Sequence, residues 1–321
     1  MRNFSVIATV IVLVANAAWV EQTSAQWHDA TTRDPRFSVE FGIKAYDRPG
    51  NEDSGAAITD FGTTVLTNDQ VTDLGNAAGA EVSFNFVSDH GREFELRSVI
   101  AEWDTALDIA GAGLGSPFFT DIAAPPTAVD FDYESDYFSI ELMSRRAIRP
   151  GVTFMFGPRF VSASEQVTVN SSAVIDTGVG TAPVVFTDDR TFDASNNLIG
   201  LQAGFEFNFP ITQYVHINSF IRAGGYVNPT ELNTSAQDSL TATITSVRRT
   251  DTIESFLGEV GGRLQVDIIP NAMSSYIGYE ATWIDGFAQA PPALVGLPPA
   301  GVETTNTVFF NALTFGLNFN Y

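Results

Sequence analysis

The chain has 321 residues, with 38 acidic against 16 basic side chains and a net charge of −22, a balance that repels polyanions and argues against nucleic acid as a partner. It holds no cysteine, which excludes disulfides, thiolate metal sites and lipid attachment through a cysteine. Its 26 Phe and 26 Gly against 4 Met, with Lys44 the single lysine, suit aromatic-rich strands better than helices.

The first element is a leader. Met1-Arg2-Asn3 is a short basic start, Phe4 to Val14 is an apolar run broken only by Ser5 and Thr9, and Thr23-Ser24-Ala25 offers a small-residue exit before Gln26. That pattern predicts a cleaved secretory signal over 1–25, with cuts after Ala17 or Ala18 as alternatives. A short segment, 26–35, follows. Beyond it no stretch approaches the roughly 18–20 apolar residues that a spanning helix needs.

From Phe37 onward the pattern is alternation with period two, which places apolar and polar side chains on opposite faces of a strand. The first strand sets Phe37, Val39, Phe41 and Ile43 against Ser38, Glu40 and Lys44. The second sets Val82, Phe84 and Phe86 against Glu81, Ser83 and Asn85. In the third, Phe94 and Leu96 oppose Glu95 and Arg97; the parity then slips near Ser98, predicting a bulge with Val99, Ala101 and Trp103 outward and Glu102 inward. The fourth has Phe138, Ile140 and Leu142 against Ser139 and Glu141, and the fifth Phe154 and Phe156 against Gly157 and Arg159. The sixth is the clearest: Ile199, Leu201, Ala203, Phe205, Phe207 and Phe209 line one face, and Gln202, Glu206 and Asn208 the other. The seventh and eighth place Ile217 and Ile221 against Arg222, then Val260, Leu264 and Val266 against Glu259, Arg263 and Asp267. The ninth sets Ile277, Tyr279 and Trp283 against Glu280, and the tenth runs through Leu313, Phe315, Leu317, Phe319 and Tyr321.

The connections carry a second signal. Those near 88–91, 147–151, 210–213 and 270–272 are tight turns built on Pro, Gly, Asn or Asp. The others, about 47–76, 104–129, 170–190, 228–252 and 285–303, are long. Short inner turns alternating with long outer loops mark a transmembrane antiparallel up-and-down β-barrel of the outer membrane. The fold expected is therefore all-β over 36–321, with about ten strands and a range of eight to twelve. A strand pair inside a long loop, such as Ile58 to Leu66, would raise the count. The bilayer core admits only helices or closed sheets, so lipid on one face and an enclosed polar interior on the other explain the alternation. A soluble sandwich, the competing reading, explains the alternation but not the sorted loops.

The charged residues of the strands fall on the polar face, giving a candidate pore lining of Glu40, Lys44, Arg97, Glu141, Arg159, Glu206, Arg222, Glu259, Arg263, Asp267 and Glu280. With Glu81 and Glu95 counted on the same face, carboxylates outnumber bases by nearly two to one, so a water-filled lumen would prefer cations. The function expected is passive passage of ions or small solutes. The alternative is a closed barrel, plugged by paired side chains, acting as a structural or adhesin-like surface protein through its long acidic loops. The terminal face of Leu313, Phe315, Leu317, Phe319 and Tyr321 looks like the strand signal read by the outer-membrane assembly machinery, so that machinery and outer-membrane lipid are the expected partners.

No enzyme, cofactor or metal is expected. Only His28, His90 and His216 are available as bases, and none neighbours a nucleophile at the outer leaflet. Asp130, Asp132, Glu134 and Asp136 would attract divalent cations at an outer loop, although a solvated strand extension is the plainer reading. Gly111-Ala112-Gly113-Leu114-Gly115 lacks the Lys-Ser/Thr of a phosphate loop and reads as a flexible outer loop.

Several stretches resemble the pore-forming outer-membrane family typified by the Legionella major outer membrane protein, common in planctomycete sequences. They are Tyr133-Glu134-Ser135-Asp136-Tyr137 leading to Arg145-Arg146, Gly157-Pro158-Arg159-Phe160, Asn197-Leu198-Ile199-Gly200-Leu201-Gln202-Ala203-Gly204, and Gly278-Tyr279-Glu280-Ala281-Thr282-Trp283 running on to Ala290-Pro291. The resemblance covers most of the chain from about 130 onward. It implies a porin-like role and carries no catalytic or ligand residues.

Overall fold

The structure is a computed structural model that describes residues 37–48, 56–60, 63–67, 75–88, 92–111, 114–115, 126–175, 184–238, 243–290 and 306–321. The expected leader and the segment 26–35 lie outside the described residues. The alternating stretches become strands β1 (Phe37–Arg48), β4 (Gly75–Val87), β5 (Glu93–Ala110), β7 (Ala128–Arg149), β8 (Val152–Ile175), β9 (Val184–Pro210), β10 (Val215–Asp238), β11 (Thr243–Ile269), β12 (Met273–Phe287) and β13 (Asn306–Asn320). Each pairs antiparallel with its neighbour along the chain, and β1 pairs with β13, so ten strands close into a barrel. Closure leaves no free sheet edge. At the seam Tyr321 N donates to Phe37 O at 2.8 Å, and the register runs without a break from Ser38–Asn320 to Asp47–Asn311. Tyr276 from β12 crosses this seam on the inside: a side chain at Gly42 would meet its Oη at 2.6 Å.

The Ile58–Leu66 stretch does form strands, but outside the barrel. β2 (Ala56–Asp60) and β3 (Thr63–Thr67) make a hairpin that pairs with β6 (Leu114–Gly115) in a separate three-stranded sheet. Leu114, expected in a flexible loop, is a buried strand residue.

Two of the expected long loops, 170–190 and 228–252, are mostly strand. β8 continues to Ile175, β9 begins at Val184, and β10 and β11 reach Asp238 and Thr243. β9 and β11 are each 27 residues long, about 90 Å at roughly 3.3 Å per residue. A bilayer core takes only about 9–11 residues of a tilted strand. The outward apolar run Ile199–Phe209 on β9 has that length, so the rest of the tall strands projects beyond it.

The boundary of the belt is visible as an inversion of polarity. Below it, outward positions are apolar (Ile140 and Leu142 on β7, Leu201 and Phe205 on β9) and inward positions are polar (Ser139, Glu141, Gln202). Above it, the outward positions are polar (Asp132, Glu134, Asp136, Asp193) and the inward ones are apolar (Phe131, Tyr133, Tyr137, Phe192, Ala194). Strand parity never changes; only the solvent outside does.

β5 corrects the sequence reading on this point. Its register with β4 and β7 is continuous through Ser98, with no bulge. Val99, Ala101 and Trp103 are buried inside and Glu102 is exposed outside, the reverse of the expectation. The apparent slip is the belt boundary. In lipid, Phe205→Arg on the outer face should cost roughly 2–4 kcal/mol, whereas Ser195→Arg, above the boundary on the same face, should be near neutral. Urea unfolding of the two variants in lipid vesicles checks this, and equal costs would move the boundary.

Candidate functional site: the filled interior

The inward faces of the lower half bring together ten of the eleven predicted lining residues. Arg97 lies at the centre, with its guanidinium 2.7 Å from Glu81, 3.2 Å from Glu280 and 3.3 Å from Glu141. Lys44 meets Glu280 at 2.5 Å and Glu81 at 2.7 Å. Arg159 holds Glu259 at 2.8 Å and donates to Tyr137 Oη and Ser139 Oγ. Arg222 reaches across from β10 to Glu141 on β7 at 2.6 Å, and Gln202 Nε2 donates to the other oxygen of that carboxylate. Arg263 meets Glu40 at 2.5 Å. Glu206 pairs with Arg145 at 2.7 Å, and Arg145 also holds Glu95 at 3.1 Å.

Some of these pairs, such as Arg97–Glu81 and Arg97–Glu141, link adjacent strands. Others join strands that are not neighbours in the wall, β5 with β12, β8 with β11 and β7 with β10, and so cross the lumen. Lys44, Arg97, Arg145, Arg159, Arg222 and Arg263 meet Glu40, Glu81, Glu95, Glu141, Glu206, Glu259 and Glu280. Six bases against seven carboxylates corrects the expected two-fold acidic excess, which had left out Arg145. Buried charges persist only when paired and hydrogen-bonded; here every charged group has an opposite partner, while Arg145 Nε, Arg222 Nε and Glu259 Oε2 are left without a hydrogen bond. Asp267 stands apart from the network, beside His216 at 3.4 Å near the turn end. His28 and His90 lie outside the described residues.

Above this layer the interior turns aromatic. Trp103, 1% exposed, lies 5.4 Å from the rings of both Tyr46 and Phe310, and Phe310 lies 5.8 Å from Tyr137. Between the two layers remains a cavity of about 10 Å³, and lower down one of about 40 Å³. The first has room for a single water on the scale of ~10–15 Å³ per water.

A third layer lies above the aromatics, below the taller ends of β8 to β11. After Gly286, whose φ of +72° suits glycine, the chain turns inward, and Phe287, Ala288 and Ala290 are buried. Asn196 clamps this segment, accepting from Ala288 N and donating to Ala288 O, both at 2.8 Å. Ala290 N donates to Glu165, whose other oxygen meets Arg48 at 2.5 Å. Residues 285–290 were expected to begin an outer loop. The inward segment, the Arg48–Glu165 pair and the aromatic layer were not foreseen; Gly286 was the one local sign of a sharp turn.

On the outside, the run Asp130, Asp132, Glu134 and Asp136 lies on β7 as exposed alternate positions, not in a loop. Alternate strand residues stand about 7 Å apart, too far to share one cation at the 2.3–2.6 Å typical of Ca²⁺ ligands. Among the described residues no group of three or more His, Asp or Glu is placed to hold a metal ion. The Glu231 carboxylate on β10 accepts from Asn233 on the same strand and from Arg248 on β11, which hold it below its usual range. Leu313, Phe315, Leu317 and Tyr321 of the expected assembly signal face outward and are exposed, with Phe319 partly covered.

No family model matches the sequence, and no curated protein does. Among solved structures, the chain is similar to the outer membrane protease OmpT from Escherichia coli (8% identity, 92% of this chain and 100% of that one, TM-score 0.47). It is also similar to the translocator domain of the autotransporter NalP from Neisseria meningitidis (10% identity, 99% and 98%, TM-score 0.42). A third is a major outer membrane protein from Thermus thermophilus (9% identity, 88% and 99%, TM-score 0.36).

Proposed function

We propose that the chain is an outer-membrane protein whose barrel is closed by its own side chains, and which acts as a surface-interaction protein through the tall end that stands outside the bilayer. One observation carries this reading: the described lumen is filled in three successive layers, by ion pairs that cross it, tilted and closely packed aromatics, and the inward segment 287–290. The interior charges that had argued for a porin-like pore are consumed in pairing. A conducting path would need Arg97 and Lys44 to release four carboxylates between them. The role so read is non-enzymatic. The leader would carry the chain across the inner membrane, and the assembly machinery would read the outward face of β13. The motifs shared with the Legionella-type family supply a lineage for the barrel, while the filled lumen departs from that family's pore-forming role.

Planar-bilayer recording tests the reading. Refolded protein with the heat-shifted gel mobility of an inserted barrel should give no discrete current steps. Regular steps from the same preparation would restore the porin-like alternative, with weak rather than strong cation preference because bases and carboxylates nearly balance.

A further inference from the structure

The outer wall carries a concavity that the closed-barrel reading leaves unused. It has a volume of about 870 Å³ and lies across β4, β5, β7 and β8 where the apolar belt meets the acidic wall. That is within the ~300–1,000 Å³ range of small-molecule sites. Its floor is shallow-sided because β4 places only the small Ala78 and Ala80, with Asn76 at the upper end, on its outer face, while Phe138 and Phe160 rise beside it. Its upper edge is acidic. Glu102 and Asp136 are directly opposed in the β5–β7 register, and Asp104 stands opposite Glu134 one step higher. Directly opposed like charges are destabilising unless something positive lies between them. Among the described residues no lysine or arginine lines this concavity.

We infer that this groove binds an outer-leaflet lipid with a cationic, amine-bearing headgroup, its chain lying over Ala78, Ala80 and Ile100 and its amine between Glu102 and Asp136. The inference rests on the membrane reading above, because the groove straddles the belt boundary. Apolar floor and acidic edge are stacked in the order in which a leaflet lipid presents chain and head. Anionic headgroups are repelled by the same carboxylates that attract the amine.

The test uses the full protein reconstituted in phosphatidylcholine vesicles with chain-spin-labelled stearylamine or stearic acid as probes. The stearylamine probe should show a larger motionally restricted fraction than the stearate probe. E102Q/D136N should remove the excess while leaving the groove open. A78W/A80W should remove it while leaving every charge in place. Butylammonium, a head without a chain, should compete poorly. The proposal is overturned if the two probes are restricted equally, if A78W/A80W keeps the full excess, or if butylammonium competes as well as stearylamine. Heat-shifted mobility of each reconstituted variant is read separately, so a chain that does not insert refutes the membrane reading rather than the groove.

Discussion

Arg97→Met is expected to destabilise the barrel by about 3–5 kcal/mol, the range for removing one partner from a buried charge cluster. The guanidinium is shared by Glu81, Glu141 and Glu280, and Glu259 stands at 3.9 Å. Without it, Glu81 and Glu280 have only Lys44 between them, and that ammonium cannot neutralise both. Glu141 and Glu259 fare better because Arg159 and Arg222 remain in reach. Arg97→Lys should cost less, since charge survives while the fork that bridges several carboxylates is lost. Equilibrium urea unfolding in detergent micelles measures both. A cost near zero for Arg97→Met would mean that these carboxylates already reach water, and the closed lumen would have to be abandoned.

Trp103→Ala should be comparably severe, about 3–5 kcal/mol for a fully packed large aromatic. Its ring is the hub between Tyr46 and Phe310, above the belt boundary where the interior is an ordinary hydrophobic core. The ion-pair layer beneath is untouched by this change, so the variant should remain silent in bilayer recordings while its unfolding midpoint falls. Current steps from Trp103→Ala alone would show that the aromatic layer, and not the charge network, is the barrier to ions. A loss below about 1 kcal/mol, well under the range for a packed aromatic, would show that the upper barrel is loosely packed.

The strand count and the inward direction of the charged residues were legible because both follow from period-two alternation. The phase of that alternation in the upper part of β5 was not legible, for a physical reason. Reading apolar as lipid-facing holds only where lipid surrounds the barrel. Once the wall passes into water, apolar side chains belong inside and carboxylates outside, so Trp103 and Glu102 exchange their expected faces without any change in register. The same rule explains why 170–190 and 228–252 read as loops: outward Ser, Thr, Asn and Asp on a strand with solvent on one side resemble loop composition. The pairing itself was beyond sequence. Nothing in the spacing of Arg97 and Glu280, 183 residues apart, says that they meet across the barrel axis. The inward course of 287–290 depends on Asn196 and Glu165, which lie far away in the chain.

The wall is far from even in height. β1, β4, β12 and β13 are 12 to 15 residues long, and β9 and β11 are 27, so the last edge to be joined in assembly is also the lowest stretch of the rim. A short edge offers few backbone bonds to reject a misaligned joining. What rejects it is chemical: displacing β1 by one residue against β13 would rotate Glu40 and Lys44 out into hydrocarbon and Phe41 and Ile43 into the charge cluster. The crossed ion pairs therefore proofread closure as well as filling the lumen.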